Sequence, residues 1–235
     1  LSRKQTDIFN QIFPSIQKSL NNNFLIHGIP GSGKTEIYVK LAQEAISIGK
    51  RVMVLIPEII LTTQMKDRFI KYFGSNIAMW HSKMTGKEKQ QTIKKILSGE
   101  YQIIIGARSS IFSPLPNIGL IVIDEEQDGS YKQESPKPYY NARDIALVRA
   151  KYAECPVVLT SATPSMETYY NTIIGKSKHI LLNERYFKSK EPIVKIVDMI
   201  KFLNYDNNKI ISPELMDAIE STLKSKKQII YVLGS

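Results

Sequence analysis

Apolar positions along this chain fall into short unbroken runs, separated by longer stretches in which they recur every three or four residues. The runs cover residues 24–27, 51–56, 77–80, 102–105, 120–123, 157–160 and 179–182. Several are β-branched and continuous rather than alternating, the pattern of strands buried on both faces. Helical spacing predicts helices over 35–47, 61–72, 86–97, 142–152 and 166–173, with an opening helix over about 4–20. Strand and helix alternating in this way predict an α/β fold: a mostly parallel sheet with helices on both faces.

Past about residue 183 the rhythm changes. Residues 185–191 are basic and polar, 195–199 read as a short strand, and 204–208 form a polar turn. Ser212-Pro213-Glu214 has the form of a helix start, with Ser212 as N-cap and Pro213 at the first helical position. That helix runs to about 226, and 228–233 read as a further strand. The expected division is one domain over 1–183 and a segment, 184–235, that leads into a second domain incomplete here.

Gly28-Ile-Pro-Gly31-Ser32-Gly33-Lys34-Thr35 carries the chemistry. It matches the eight-residue phosphate-loop pattern at every fixed position, and it lies between a predicted strand and a predicted helix. Glycines at Gly28, Gly31 and Gly33 let backbone N–H groups, that of Ser32 among them, turn inward around phosphates where a Cβ would obstruct. Lys34 is placed to reach the β- and γ-phosphates, and the Thr35 hydroxyl to hold Mg²⁺. The helix N-terminus adds favourable positive potential. ATP is the expected ligand.

A second apolar run ends in consecutive acids, Asp124-Glu125-Glu126-Gln127. At the carboxyl end of a buried strand these sit at the mouth of an α/β sheet. Asp124 is placed to bind Mg²⁺, directly or through water, and Glu125 to act as general base on an attacking water. Lys34, Asp124 and Glu125 are therefore the candidate catalytic residues.

Composition adds boundaries. The 235 residues are 43 % hydrophobic and 23 % charged, an ordinary globular mixture. A formal charge of +10 favours a polyanionic partner, although a charge excess is often only a solvated face. One cysteine, Cys155, leaves no internal disulfide or Cys-rich zinc site; it reads as a small buried residue. No apolar run reaches the roughly 20 residues that span a bilayer, so a cytoplasmic protein without membrane contact is expected. His27, His81 and His179 lack metal-ligand spacing, Trp80 reads as packing, and no catalytic histidine is assigned.

A phosphate loop followed by Asp-Glu-x-x resembles the superfamily 2 helicases, whose first lobe is a RecA-like P-loop NTPase domain. On that resemblance Gln5, 23 residues ahead of Gly28, corresponds to the adenine-reading glutamine. Pro57-Glu58-Ile-Ile-Leu-Thr62-Thr-Gln64 resembles motif Ia, Gly106-Ala-Arg108-Ser109 motif Ib, and Thr160-Ser161-Ala162-Thr163-Pro164-Ser165 motif III, which couples nucleotide to DNA. Within the superfamily the chain is similar to the PriA type, primosomal protein N′. Ser130-Tyr131-Lys132-Gln133-Glu134 through Tyr139-Tyr140-Asn141-Ala142-Arg143 resembles that family's aromatic-rich loop, which links DNA binding to hydrolysis. The family's Asp-Glu-Glu-His has Gln127 in its fourth place; an amide still hydrogen-bonds at both ends but does not titrate.

The resemblance implies a 3′→5′ DNA helicase of primosome assembly and replication restart. Its partners would be single-stranded and forked DNA, primosome proteins and the loaders of the replicative helicase, and its zinc motifs would lie outside these residues. Coupling falls to Gln127, Ser161, Ala162 and Thr163. DNA contacts fall to Thr62, Gln64, Arg108, Ser109, Tyr131, Lys132, Tyr139, Tyr140 and Arg143; composition alone favours tyrosines that pack inward, and the resemblance reverses this for the loop as a whole but not for any one tyrosine. With an arginine from the second lobe absent, the chain is expected to bind nucleotide, hydrolyse it poorly and unwind nothing alone. An RNA-dependent ATPase of the same superfamily and a non-motor ATP-dependent switch are the alternatives.

Overall fold

A computed structural model describes residues 1–60, 63–184, 193–200 and 211–232, apart from the side chains of 63, 64 and 66. They fall into two units, Leu1–Lys188 and Ser189–Ser235. In the first unit each predicted apolar run is a strand: β1 Asn23–Gly28, β2 Arg51–Leu55, β3 Ile77–Trp80, β4 Ile103–Gly106, β5 Ile118–Ile123, β8 Val157–Ser161 and β9 Lys178–Leu182. All neighbours pair in parallel, in the order β3-β4-β2-β5-β8-β1-β9. The helices between them are α1 Arg3–Gln17, α2 Lys34–Ser47, α3 Thr63–Phe73, α4 Gly86–Ser98, α5 Ala142–Ala153 and α6 Met166–Ile173.

Why the runs are unbroken is visible in the packing. Strand side chains alternate between faces, and here both faces are covered. Phe24, Ile26, Val52, Val54, Ile103 and Ile105 point to one side, against Ile12 of α1, Leu41 of α2 and Phe69 of α3. Leu25, Met53, Leu55, Ile104 and Ile121 point to the other, against Ile96 of α4 and Ala142, Ala146 and Ala150 of α5. Small alanines on α5 let it lie close to β5. Local chemistry sets the ends of the helices: Ser2 with Gln5 and Thr85 with Glu88 form capping boxes at α1 and α4, and Ser165 caps α6.

The order of the strands positions the site. After β1, α2 carries the chain past two strand places to β2, and β5 and β8 later fill the gap. The carboxyl ends of β5, β8 and β1 therefore lie side by side, where ligands bind in open α/β sheets. The segments following them begin with Asp124, with Ser161 closing β8, and with the phosphate loop. A small antiparallel ribbon, β6 Lys132–Gln133 with β7 Tyr140–Asn141, stands outside the main sheet and was not predicted.

In the second unit the helix appears as expected, α7 Pro213–Lys224, with the Ser212 side chain accepting from Leu215 N at 3.1 Å. The strands expected at 195–199 and 228–233 do not form in the described residues. A strand exists only through pairing with a neighbour, and the described residues offer 228–232 none; Ile196 and Ile230 stand more than 90 % exposed. No described helix is long and apolar enough to cross a membrane.

Candidate functional site

Gly31 and Gly33 take left-handed φ values of 75° and 83°, which bend the loop back on itself between β1 and α2. A Cβ on Gly28 would come 2.7 Å from Ser32 Oγ, and one on Gly33 would strike the Gln5 amide. The loop thus encloses a hollow closed to side chains. Ser32 Oγ is buried there without a hydrogen-bond partner. An orphaned hydroxyl in a backbone cradle at a helix N-terminus fits a phosphate oxygen. The cleft around it, about 720 Å³, is lined by the loop with Gln5, Arg68, Asp124 and Glu125.

Lys34 is buried at the cleft floor. Its Nζ donates to Gly28 O at 2.8 Å and stands 3.7 Å from Glu125 Oε1. Asp124 is 8 % exposed, and both of its oxygens are held. Tyr38 Oη donates to Oδ2 at 3.0 Å; Thr160 Oγ1 and, at 3.2 Å, Glu125 N donate to Oδ1. Burial pushes the Asp124 carboxyl above the usual carboxylate range, against the hydrogen bonds from Thr160 and Tyr38 that pull it down. Thr35 lies one helical turn before Tyr38 and beside this carboxylate in the same cleft. A hydroxyl and a carboxylate converging beside a phosphate cradle are the oxygen donors Mg²⁺ takes, so the residues fit that ion.

Glu125 adopts φ 47°, which turns its side chain toward Lys34. From there a continuous chain of hydrogen bonds runs to motif III. Gln127 Nε2 donates to Glu125 Oε2 at 2.9 Å, Ser161 Oγ donates to Gln127 Oε1 at 2.6 Å, and Thr163 N donates to Ser161 Oγ at 2.9 Å. The amide uses both its ends, which a neutral imidazole would do with one donor and one acceptor nitrogen. Ala162 contributes its backbone between the two. Gln5 is tied at both ends as well: Oε1 accepts from Ser2 N at 2.7 Å and Nε2 donates to Ser32 O at 3.1 Å.

The expected DNA contacts divide. Tyr131 is 1 % exposed and donates to Asp124 O at 2.6 Å, so it belongs to the core rather than to a DNA surface. Arg143 also turns inward. Its Nη1 pairs with the buried Glu126 at 3.1 Å and donates to Ser165 Oγ at 2.6 Å. Glu126 accepts further from Ser165 N and Thr168 Oγ1, both at 2.7 Å, and from Ser165 Oγ at 3.0 Å. This clamp joins the acidic run to α6, and no local signal in the sequence separates such an inward arginine from an outward one. Tyr139 is 64 % exposed with Lys137 over its ring, and Lys132 is exposed in an ion pair with Glu134. Tyr140 packs edge-on against Phe112, and Arg108 Nη1 donates to Lys132 O at 2.7 Å. Motif Ib, with Ser109 half-buried in its turn, is thereby knitted to the ribbon. Thr62 lies outside the described residues, as does the side chain of Gln64.

Cys155 is buried, its thiol pushed up to about 12 by burial, and Trp80 is packed in the core. His27 and His179 meet ring nitrogen to ring nitrogen at 3.2 Å across β1 and β9, a contact that sequence spacing does not disclose. The described residues hold no cluster of three or more metal-binding His, Cys, Asp or Glu side chains.

Residues 4–172 match the DEAD/DEAH box helicase family. The chain is 44 % identical over 220 residues to the replication restart protein PriA of Rickettsia felis, covering 94 % of this chain and 34 % of that protein. It is 40 % identical over 234 residues to the replication restart protein PriA of Bacillus subtilis, covering 100 % of this chain and 29 % of that protein. The chain spans about a third of the length of these curated relatives. Its fold is similar to that of RecG bound to a three-way DNA junction, with a TM-score of 0.61 and 17 % identity over 96 % of this chain and 31 % of that one. It is likewise similar to the DUF1998 helicase MrfA bound to DNA and AMPPNP, with a TM-score of 0.57 and 20 % identity over 96 % of this chain and 32 % of that one.

Two outcomes follow from this geometry. Arg143→Ala leaves Glu126 charged and buried with three donors in place of four, and destabilises by about 3 kcal/mol, the low end for breaking a buried pair. Tyr139→Ala leaves stability within about 0.5 kcal/mol; urea denaturation of both variants checks the contrast. The raised Asp124 pKa means that folding favours its protonated form. Its contribution to stability is full below the ordinary aspartate pKa, about 3.9, and is lost as pH rises through the folded value. Asp124→Asn therefore raises the melting temperature at pH 7, by a margin that shrinks toward pH 4 in a thermal series.

Proposed function

The chain belongs to the DEAD/DEAH box helicase family, and from that premise we propose that it is the ATP-binding motor lobe of a 3′→5′ DNA helicase acting in replication restart. The observation that carries the proposal is the meeting of Lys34, Glu125, Gln127 and Ser161 in one line, an ion pair at 3.7 Å followed by two hydrogen bonds. That line begins at the phosphate cradle and ends on the segment that resembles the coupling motif. Similarity to the replication restart proteins extends along nearly the whole chain and supports the assignment to their type.

In this reading ATP lies in the cleft with its phosphates in the cradle of Gly28, Gly31, Ser32 and Gly33. Lys34 neutralises charge gathering on the β–γ bridge and the transferred phosphoryl group. Glu125 holds the attacking water and takes its proton as the new P–O bond forms and the bond to the ADP oxygen breaks. Mg²⁺, when bound through Thr35 and Asp124, supplies further charge neutralisation at the phosphate oxygens. Gln127 fixes the Glu125 rotamer and hands its position to Ser161. Gln5 adjoins the loop from α1, where it would meet the base once its tie to Ser32 O opens.

The surface formed by Arg108, Ser109, Lys132, Tyr139 and Tyr140 holds the DNA strand by phosphate contacts and stacking, without reading sequence. Tyr131 provides the link inward, from the ribbon to the main chain of Asp124. Residues 184–235 lead into the second lobe, whose arginine completes the hydrolytic site.

An arginine supplied from outside a phosphate site is worth about 10³–10⁵ in rate. This chain should therefore turn over ATP at least about a thousandfold more slowly than its full-length parent. In the parent, single-stranded DNA stimulates turnover more than RNA does, and Glu125→Gln abolishes that stimulation while leaving nucleotide binding intact. Phosphate-release assays check both; a chain as fast as the parent, or a parent indifferent to DNA, contradicts the proposal.

A further inference from the structure

Tyr38 is an aromatic residue with no place in the recognised motifs, yet it reaches the centre of the site. It lies on α2 three residues beyond Thr35, so both side chains share one helix face. Its ring is fully buried and stacks against Phe69, with centroids 6.5 Å apart. The hydroxyl donates to Asp124 Oδ2 at 3.0 Å, on the helix face that also carries the Thr35 side chain. Thr35 and Asp124 come from different elements, the start of α2 and the end of β5, and the phenol that holds Asp124 is carried one helical turn beyond Thr35.

The other Asp124 oxygen is held by Thr160 and by Glu125 N, so Oδ2 is the oxygen whose direction Tyr38 alone governs among the described residues. A carboxylate at the end of a strand turns about two side-chain bonds. With Oδ1 fixed from β8 and Oδ2 fixed from α2, it is locked in one rotamer before any ligand arrives. We propose that Tyr38 is a positioning residue for the divalent cation: it sets the direction of Asp124 Oδ2 and its separation from the Thr35 hydroxyl, and so governs metal affinity rather than nucleotide affinity. The inference rests on the reading that Thr35 and Asp124 hold the metal.

The test separates the two affinities on the intact chain. Binding of a fluorescent ADP is followed first in chelator and then over a titration of Mg²⁺. Tyr38→Phe keeps the ring and its stack on Phe69 and removes the hydroxyl. Losing a hydrogen bond to a charged group predicts that the Mg²⁺ concentration for half-maximal enhancement rises about tenfold. The metal-free ADP affinity should stay within about twofold, because the phosphate cradle itself is untouched. An unchanged Mg²⁺ requirement overturns the proposal, and so does a collapse of metal-free affinity, which would make Tyr38 a support of the loop. Thr35→Ala serves as the reference. If it alters the Mg²⁺ requirement and Tyr38→Phe does not, only the role of Tyr38 fails; if neither alters it, the metal reading itself fails.

Discussion

A buried carboxylate must be compensated, and the arrangement of the first unit turns on doing so for Asp124. Its two oxygens take Tyr38 from α2 and Thr160 from β8, and its carbonyl takes Tyr131 from the ribbon turn. Three separate parts of the chain are thus pinned to the end of β5. The compensation is incomplete, since burial still holds the carboxyl above its usual range. In the proposed reading that cost is offset when a cation binds, the familiar opposition between stability and function at a site.

Around that point the sheet supplies reach. Because β5, β8 and β1 are adjacent, three loops far apart in sequence open at one edge, and a line of polar contacts from Lys34, ion-paired to Glu125, through Gln127 to Ser161 needs no intervening element. The Gln127 amide suits this line, because the line requires one donor and one acceptor rather than a charge. Glu126 faces the opposite way and is consumed by the clamp to Arg143, Ser165 and Thr168, which fixes α6 relative to the acidic run. Adjacent carboxylates thereby divide into one for the cleft and one for the scaffold.

Much of this was legible in the sequence. Strands buried on both faces declare themselves by unbroken β-branched runs, and the phosphate loop by glycines whose backbone conformation no other residue tolerates as easily. What stayed hidden were the directions of single side chains. Tyr131 and Tyr139 share a loop and a composition, yet one is buried against Asp124 O and the other exposed beneath Lys137. Arg143 sits among cations that suit a nucleic-acid surface, while its partner Glu126 lies 17 residues away. Tyr38 meets Asp124 across 86 residues and His27 meets His179 across 152, distances at which local pattern carries no information. The strands expected at 195–199 and 228–233 show the complementary limit: pattern announces a strand, but only a neighbouring strand makes one.

The claim beneath all of this is that the hollow between β1 and α2 is a nucleotide site already shaped in the free chain. Calorimetric titration of the 235-residue chain with Mg-ADP, beside Lys34→Ala, tests it most directly. The account predicts a single saturable site in the intact chain and at least about a tenfold loss in the variant, since Lys34 loses a charge-assisted contact. No heat of binding in the intact chain, or equal affinity in the two, would contradict it.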